Sequence, residues 1–250
     1  MPEPRYNQSE MPTVPVILIR HAQSQWNLEN RFTGWADPPL TEAGIAEARR
    51  AAERLRSCGF RFDAAYSSRL RRAVLTRDLI LQSTGHTNIA RHQDWRLNER
   101  HYGALQGLSK DDAVSRVGAD QVWRWRRGYH DRAAPLRLDQ PTHPANDPLY
   151  ADVAPSLLPS VENLDQTRTR VMAFWNREIV PQLKQGKRLL VSAHGNTLRA
   201  LIMHLDGIGA KEVEDFEIPT ATPIVYEFSR DGHALHWHYL NCKGQERRSA

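Results

Sequence analysis

A chain of 250 residues, 40% hydrophobic and 25% charged, has ordinary globular composition and is long enough for one large domain or two small ones. Its 34 Lys and Arg against 29 Asp and Glu leave a formal charge of +5, which admits nucleic acid, an anionic membrane surface or a small polyanion and selects none of them. No run of about 18 apolar residues occurs, and Cys58 and Cys242 lie far from any Cys-x-x-Cys spacing, so a membrane span, a disulfide framework and a cysteine zinc site are not expected. A soluble protein of a reducing cytoplasm fits these counts.

Residues 1–13 are polar and proline-rich without a signal-peptide core, and read as a disordered arm in which Met1 and Met11 both offer a start. Val14 then opens the apolar run VPVILIR, which gives way abruptly to Arg20, His21, Gln23, Ser24 and Asn27. Further strand-like runs fall at 62–66, 88–91, 188–193, 222–228 and 235–240. Helical patterns alternate with the early ones. Thr41 is placed as N-cap of a helix carrying Ile45, Ala48, Ala52 and Leu55 on one face. A second runs from Leu70 through Ala73, Val74 and Leu81, started by Ser67 and Ser68, and a third follows Gly195 with Leu198, Leu201, Ile202 and Leu205. The alternation predicts an α/β fold, a three-layer sandwich with a mostly parallel central sheet flanked by helices. Proline crowds residues 128–160, which read as an ordered insertion before a helix near Val161. Residues 14–240 then make one catalytic domain, and 241–250 a short tail.

In open parallel sheets, ligands gather beyond the carboxyl ends of the strands, where helix N-termini expose backbone N–H groups. Arg20 and His21 occupy such a place, and RLLVSAHGNTLRALIMHL repeats it with His194, Gly195 and Asn196. If the two strands are neighbours, two imidazoles face each other across one pocket. A lone histidine is usually satisfied by the backbone, but two at equivalent strand ends beside a guanidinium point to function. Histidines and arginines converging without an acidic cluster suit an anion better than a metal. Phosphate fits best, because an imidazole nitrogen can carry the phosphoryl group while arginine forks and a second histidine stabilise its oxygens. Arg71 or Arg72 offers a further cation, each otherwise a solvated helix residue.

Two other clusters compete. VWRWRRGYH at 122–130 interleaves arginines with aromatic rings as single-stranded nucleic-acid binders do, yet Glu99, Asp111, Asp112 and Asp120 break up a basic face. The plainer reading packs Trp123 and Trp125 in the core and solvates Arg124. His236 and His238 share one strand face with His233 nearby, without an accompanying carboxylate or cysteine, and read as surface residues of an edge strand.

The stretches LIRHAQSQWNLENRFTGW, LRRA, WRLNERHYGALQGLSK, WRWRRG, AHGNTLRALI and IPTATPIVYEF occur in this order between Val14 and Leu240. Together they resemble the 2,3-bisphosphoglycerate-dependent phosphoglycerate mutases of the histidine phosphatase superfamily. The resemblance implies that His21 holds the phosphoryl group, that Arg20, Ser24, Asn27, Arg72, His194, Gly195 and Asn196 surround it, and that Glu99 is the general acid and base. It implies that Thr33 and Gly34 meet the substrate, whose far end Tyr102, Lys110, Arg126 and Arg127 would cover, as a small polyanion requires. It further implies interconversion of 2- and 3-phosphoglycerate, primed by 2,3-bisphosphoglycerate and using no metal, in a cytoplasmic homodimer or homotetramer with no nucleic-acid or membrane partner. The nearest alternative is a phosphohistidine-dependent phosphatase acting on bisphosphoglycerate or another phosphorylated metabolite.

Two departures from the family pattern stand out. Ala22 and Gln23 replace the family's Gly and Glu; the first is tolerable only with an ordinary backbone conformation, and the second removes a carboxylate. Only ten residues follow Leu240, fewer than is usual in the family. A lid that closes less fully exposes phosphohistidine to water, so some bisphosphoglycerate phosphatase activity is expected.

Overall fold

The computed structural model describes residues 13–240 and 248–249; the expectations for residues 1–12, with both start sites, and for 241–247 and 250 of the tail lie outside the described residues, whereas 248–249 of that tail join the sheet as a strand. The chain runs through β1 (Val14–Arg20), α1 (Gln25–Leu28), α2 (Glu42–Ser57), β2 (Ala64–Ser67), α3 (Arg71–Ser83) and β3 (Ala90–Gln93). After short 3-10 turns come α4 (Lys110–Val117), α5 (Ala119–Arg127), α6 (Leu164–Phe174), a π turn at Trp175–Ile179 and α7 (Val180–Lys184). The chain continues with β4 (Leu189–Ala193), α8 (Gly195–Leu205), β5 (Ile224–Phe228), β6 (Ala234–Tyr239) and the two-residue β7 (Arg248–Ser249).

The strands form one sheet in the order β3-β2-β4-β1-β5-β6-β7. Its first four strands are parallel and the rest join antiparallel, beginning with β5 on β1. β1 and β4 are therefore neighbours, with Arg20 in register with Ala193. Because side chains alternate along a strand, Val16 and Leu18 enter the core under α6 and α8, while Ile17 and Ile19 enter the core under α2 and α3. All four are essentially buried, each contributing roughly 2 kcal/mol of hydrophobic stabilisation. The result is the three-layer arrangement expected from the alternation of strands and helices.

Local chemistry explains the helix ends that aim the site. The Thr41 hydroxyl accepts from the Gly44 amide at 2.9 Å, capping α2 as expected. A Cβ on Gly44 would stand 2.1 Å from the Gln23 carbonyl oxygen, so glycine lets α2 pack directly on the chain leaving β1. α3 differs from expectation. Its N-cap is Leu70, without a side-chain cap, because Ser67 belongs to β2 and Ser68 is turned to another task described below. α6 begins at Leu164, three residues beyond the expected Val161, since Asn163 and Gln166 make the capping box there. The π turn precedes Pro181, whose ring and missing N–H cannot be accommodated in an unbroken α-helical ladder.

The insertion at 128–160 is ordered through 3-10 turns at Pro144–Asn146, Pro148–Tyr150 and Pro155–Leu157, each with proline in its first turn. Tyr150, Val153 and Leu158 pack with Trp35 and Trp95 in a satellite core, and Asn98 donates to the Tyr150 hydroxyl at 2.8 Å.

Three expectations are corrected. Trp123 is exposed on α5, so only Trp125 of the pair packs inward: the two are two residues apart and a helix turns them to different faces. His238 is buried and β6 is not an edge, because β7 pairs with it. Cys58, at the C-cap of α2, is disulfide-bonded, a pairing that the spacing of the two cysteines gave no reason to expect. Among the described residues no helix is long and apolar enough to cross a membrane, and no group of three or more His, Cys, Asp or Glu is placed to hold a metal.

Candidate active site

The carboxyl ends of β1, β4 and β2 meet at a cavity open to solvent. At its floor His21 extends the β1 ladder, its amide donating to the Ala193 carbonyl at 2.9 Å. The ring is 3% exposed, and its Nδ1–H donates to the Ala22 carbonyl at 2.7 Å. A carbonyl only accepts, so this bond puts the proton on Nδ1 and leaves Nε2 unprotonated, its lone pair facing the cavity. Arg72 Nε donates to that Nε2 at 3.3 Å. Arg72 is itself fully buried, its two terminal nitrogens held at 2.8 Å by the Ala36 and Gly34 carbonyls. Arg71, by contrast, points outward and pairs with Asp37, which settles which arginine of the run enters the site.

The His194 ring lies 4.9 Å from that of His21, centroid to centroid. Its Nε2 meets the Ser68 hydroxyl at 2.7 Å, while the Leu70 amide donates to the same hydroxyl. Ser68 is thus an orienting group for the second histidine, not a helix cap. Arg20 reaches back with one terminal nitrogen to the Ile218 carbonyl at 2.8 Å. Two buried polar atoms beside His21, Arg20 Nε and His194 Nδ1, have no hydrogen-bond partner among the described residues.

Burial sets the protonation of this floor. His21 is held well below the usual imidazole value, first by desolvation and then by the cations Arg72 and Arg20; His194 is lowered likewise, by burial, then Arg72 and His21. Both rings are neutral near pH 7. Arg72 is lowered by burial to about 10 and stays a cation.

Glu99 faces the same space from the loop before α4. Its Oε1 accepts from the Arg100 amide at 2.8 Å and the Asn196 amide at 3.1 Å, and neither Arg96 nor Arg100 pairs with it through the guanidinium. The loop is held from behind by Arg170, which donates to the Asn98 and Glu99 carbonyls at 2.9 Å and pairs with buried Glu162 at 2.6 Å. A Cβ on Gly195 would stand 3.7 Å from Arg20 Nε and 3.8 Å from Glu99 Oε2, ordinary contacts, so glycine there keeps space between a cation and a carboxylate. Gly34 is stricter. Its φ of +53° favours glycine, and a Cβ would stand 2.1 Å from the Gln106 oxygen that accepts from the Trp35 amide.

Thirteen of the fifteen residues carried over by resemblance line the cavity, with Thr33, Tyr102, Lys110, Arg126 and Arg127 at its outer end. His194 stands directly behind the lining against His21. Ser24 is fully buried away from it: its hydroxyl caps α1 and donates to Asn27 Oδ1 at 3.0 Å, positioning a lining residue instead of meeting a ligand. Ala22 has an ordinary backbone conformation, its amide donating to Thr76 Oγ1 at 3.1 Å, and Gln23 accepts from the Thr41 hydroxyl at 2.9 Å.

Sequence reasoning missed Arg31, Phe32, Arg199, Glu217 and Ile218 in the lining, and Ser68 behind it. Arg199 was legible in principle: it stands three residues after Asn196 on α8, and it donates to Asn196 Oδ1 at 2.8 Å. Glu217, on the loop before β5, carries no local signal. With these residues the cavity presents seven cationic side chains and two carboxylates. Such a site can hold a multiply charged anion against a neutral imidazole nucleophile, with a carboxylate in place to move a proton.

The family model of the histidine phosphatase superfamily, branch 1, matches residues 16–241. In sequence the chain is 46% identical over 225 residues, 90% of its length and 90% of the relative's, to the 2,3-bisphosphoglycerate-dependent phosphoglycerate mutase of Hamiltonella defensa subsp. Acyrthosiphon pisum. Among solved structures, phosphoglycerate mutase from Bacillus anthracis superposes with a TM-score of 0.65 at 22% identity, over 91% of this chain and 93% of that one. The alpha-ribazole phosphatase of Shigella flexneri also gives 0.65 at 22% identity, over 88% of this chain and 93% of that one. The two structures share the fold. The match of the family model over nearly the whole described chain establishes that the protein belongs to the histidine phosphatase superfamily, branch 1.

Proposed function

We propose that the protein interconverts 2-phosphoglycerate and 3-phosphoglycerate through a phosphoryl group carried on His21. The observation that carries this reading is the pair of buried, unpartnered polar atoms, Arg20 Nε and His194 Nδ1, beside a neutral His21 whose unprotonated Nε2 accepts only a long 3.3 Å bond from Arg72. A buried donor without a partner is costly, and oxygens of a tetrahedral anion placed at Nε2 would satisfy both. The 46% identical relative is named for that reaction.

On this reading 2,3-bisphosphoglycerate, when bound, supplies the priming phosphoryl group. His21 Nε2 donates its lone pair to phosphorus as the bond to the leaving oxygen breaks, and Glu99 gives that oxygen its proton. The positive charge that develops on the imidazole is shared through Nδ1–H with the Ala22 carbonyl. Arg20, Arg72 and Asn27 take the phosphoryl oxygens; with Ser68 donating to Nε2, His194 offers Nδ1–H as a further donor. In the return step Glu99 accepts the proton of the substrate hydroxyl as it attacks His21's phosphoryl group. The two amides on Glu99 Oε1 fix that carboxylate, leaving Oε2 toward the Gly195 space. Thr33, Gly34, Tyr102, Lys110, Arg126 and Arg127 hold the remainder of a three-carbon acid, Lys110 and the arginines opposite its charges. The donors are all side chains and amides of this chain, and no step calls for a metal.

Residues 14–240 make the catalytic unit on this reading, whose partners are small phosphoglycerates and whose assembly is the family's homodimer or homotetramer. A cytoplasmic location goes with that metabolism; with Cys58 in a disulfide, free thiols no longer argue for it.

The test is one incubation of metal-stripped protein with 3-phosphoglycerate, with and without trace 2,3-bisphosphoglycerate, following 2-phosphoglycerate and inorganic phosphate together. Formation of 2-phosphoglycerate that depends on the bisphosphate is the expected result. Phosphate release without 2-phosphoglycerate would replace the mutase with a phosphatase that uses water as acceptor at the same histidine.

A further inference from the structure

Glu217 is a carboxylate in a cavity otherwise built to receive carboxylates and phosphates. It sits at the outer end, where its Oε1 accepts from a terminal nitrogen of Arg127, the last residue of α5. The Arg127 side chain is 18% exposed and the Glu217 side chain 69% exposed, so the cation is set in the wall and its counter-ion stands toward solvent. The backbone on both sides of Glu217 is tied down. Arg127 also donates to the Phe216 carbonyl, Tyr239 donates to the Glu217 carbonyl at 2.9 Å, and Arg20 donates to the Ile218 carbonyl. Only the side chain of Glu217 is therefore left to move.

We infer that Glu217 is a built-in counter-anion that occupies Arg127 in the free enzyme and must be displaced by the anionic far end of the substrate, making it a specificity-determining residue of the proposed site. A ligand with a carboxylate or second phosphate at that end exchanges one ion pair for another. One with an uncharged end leaves the Arg127–Glu217 pair intact and gains nothing from it. The carboxylate thus lowers affinity for the proper substrate, but it keeps Arg127 oriented and partly neutralised in a cavity whose other cations are crowded. Lys110 feels both its burial and that crowding: burial first, then Arg126 and Arg20, lower it to about 8.

This inference rests on the proposed function for its choice of ligand, and its test is a binding measurement that does not need turnover. Wild type and Glu217→Gln are titrated calorimetrically with 3-phosphoglycerate and, separately, with inorganic phosphate, which seats at His21 without reaching Arg127. Removing one exposed counter-ion should tighten 3-phosphoglycerate roughly two- to fivefold, the range of such pairs, and change phosphate affinity by less than half that factor. Unchanged or weaker 3-phosphoglycerate affinity, equal tightening of both ligands, or no binding of 3-phosphoglycerate to either protein overturns the inference. If tightening is seen while wild type forms no 2-phosphoglycerate, the mutase reading fails and the role of Glu217 stands.

Discussion

The two ends of the cavity are built on different principles. The floor comes from regular structure: β1 and β4 are parallel neighbours, and each delivers a histidine one residue past its last strand residue. Its groups are buried and held by backbone carbonyls, as Arg72 is by Ala36 and Gly34. The outer end is assembled from α4, α5 and the loop before β5, and its cations are half-exposed and partly paired with the protein's own acids. Chemistry needs a geometry that does not move, whereas admission and release of a charged substrate need groups that exchange partners. Losses at the floor should therefore appear in kcat and losses at the rim in KM.

The largest effect is expected at His21. Replacing it with alanine removes the imidazole that Arg72 and Arg20 flank, and turnover should fall by at least about 10³-fold together with covalent labelling by radioactive 2,3-bisphosphoglycerate. Substantial mutase activity in the unlabelled variant would sink the mechanism. Arg72→Lys comes next. A lysine carries its three donors on one nitrogen, which cannot span the three acceptors that the guanidinium reaches from three, so kcat should drop roughly 10²-fold with a much smaller change in KM. A change confined to KM would mean that the floor behaves like the rim.

At the rim, Lys110 predicts a pH effect of known sign. Its value is lowered to about 8, so it is a cation below that pH and loses its charge above it. The free enzyme then binds an anionic substrate less well, and KM should rise up to roughly tenfold between pH 8 and 9.5. Bound substrate restores the proton affinity of the lysine, so kcat should stay level over the same range. Lys110→Met should show a raised KM without that rise, and initial rates across the pH series decide it.

The same contrast explains what could be read beforehand. The floor is written in short contiguous stretches, where a strand ends on a functional residue and a helix starts just after it, so neighbourhood in sequence nearly guarantees neighbourhood in space. The Arg20-His21 and His194-Gly195 pairs were legible for that reason. Ser68 was visible but misassigned, because a serine before a helix usually caps it and nothing local reveals a histidine on the adjacent strand. Glu217 pairs with an arginine ninety positions away, and Cys58 takes part in a disulfide; tertiary folding alone brings such partners together. The exposure of Trp123 was a matter of helix phase, which a run of alternating Trp and Arg leaves undetermined.

The smallest predicted effect tests how tightly the floor is backed. Ala221 is buried behind Arg20, donating its amide to the Arg20 carbonyl at 3.0 Å, yet its φ is +46°, in the left-handed region that favours glycine. Holding a Cβ there costs about 1 kcal/mol, and glycine would release it. Glycine also gains freedom in the unfolded chain, which offsets roughly 0.5–1 kcal/mol of that relief. Ala221→Gly should accordingly move the melting temperature upward by no more than about 2 °C. Ala221→Val, which adds β-branching to the same conformation, should lower it by several times as much. Equal shifts in both variants would mean that the wall behind Arg20 yields to either side chain, and the rigidity argued for the floor would have to come from Arg72 and the two strands alone.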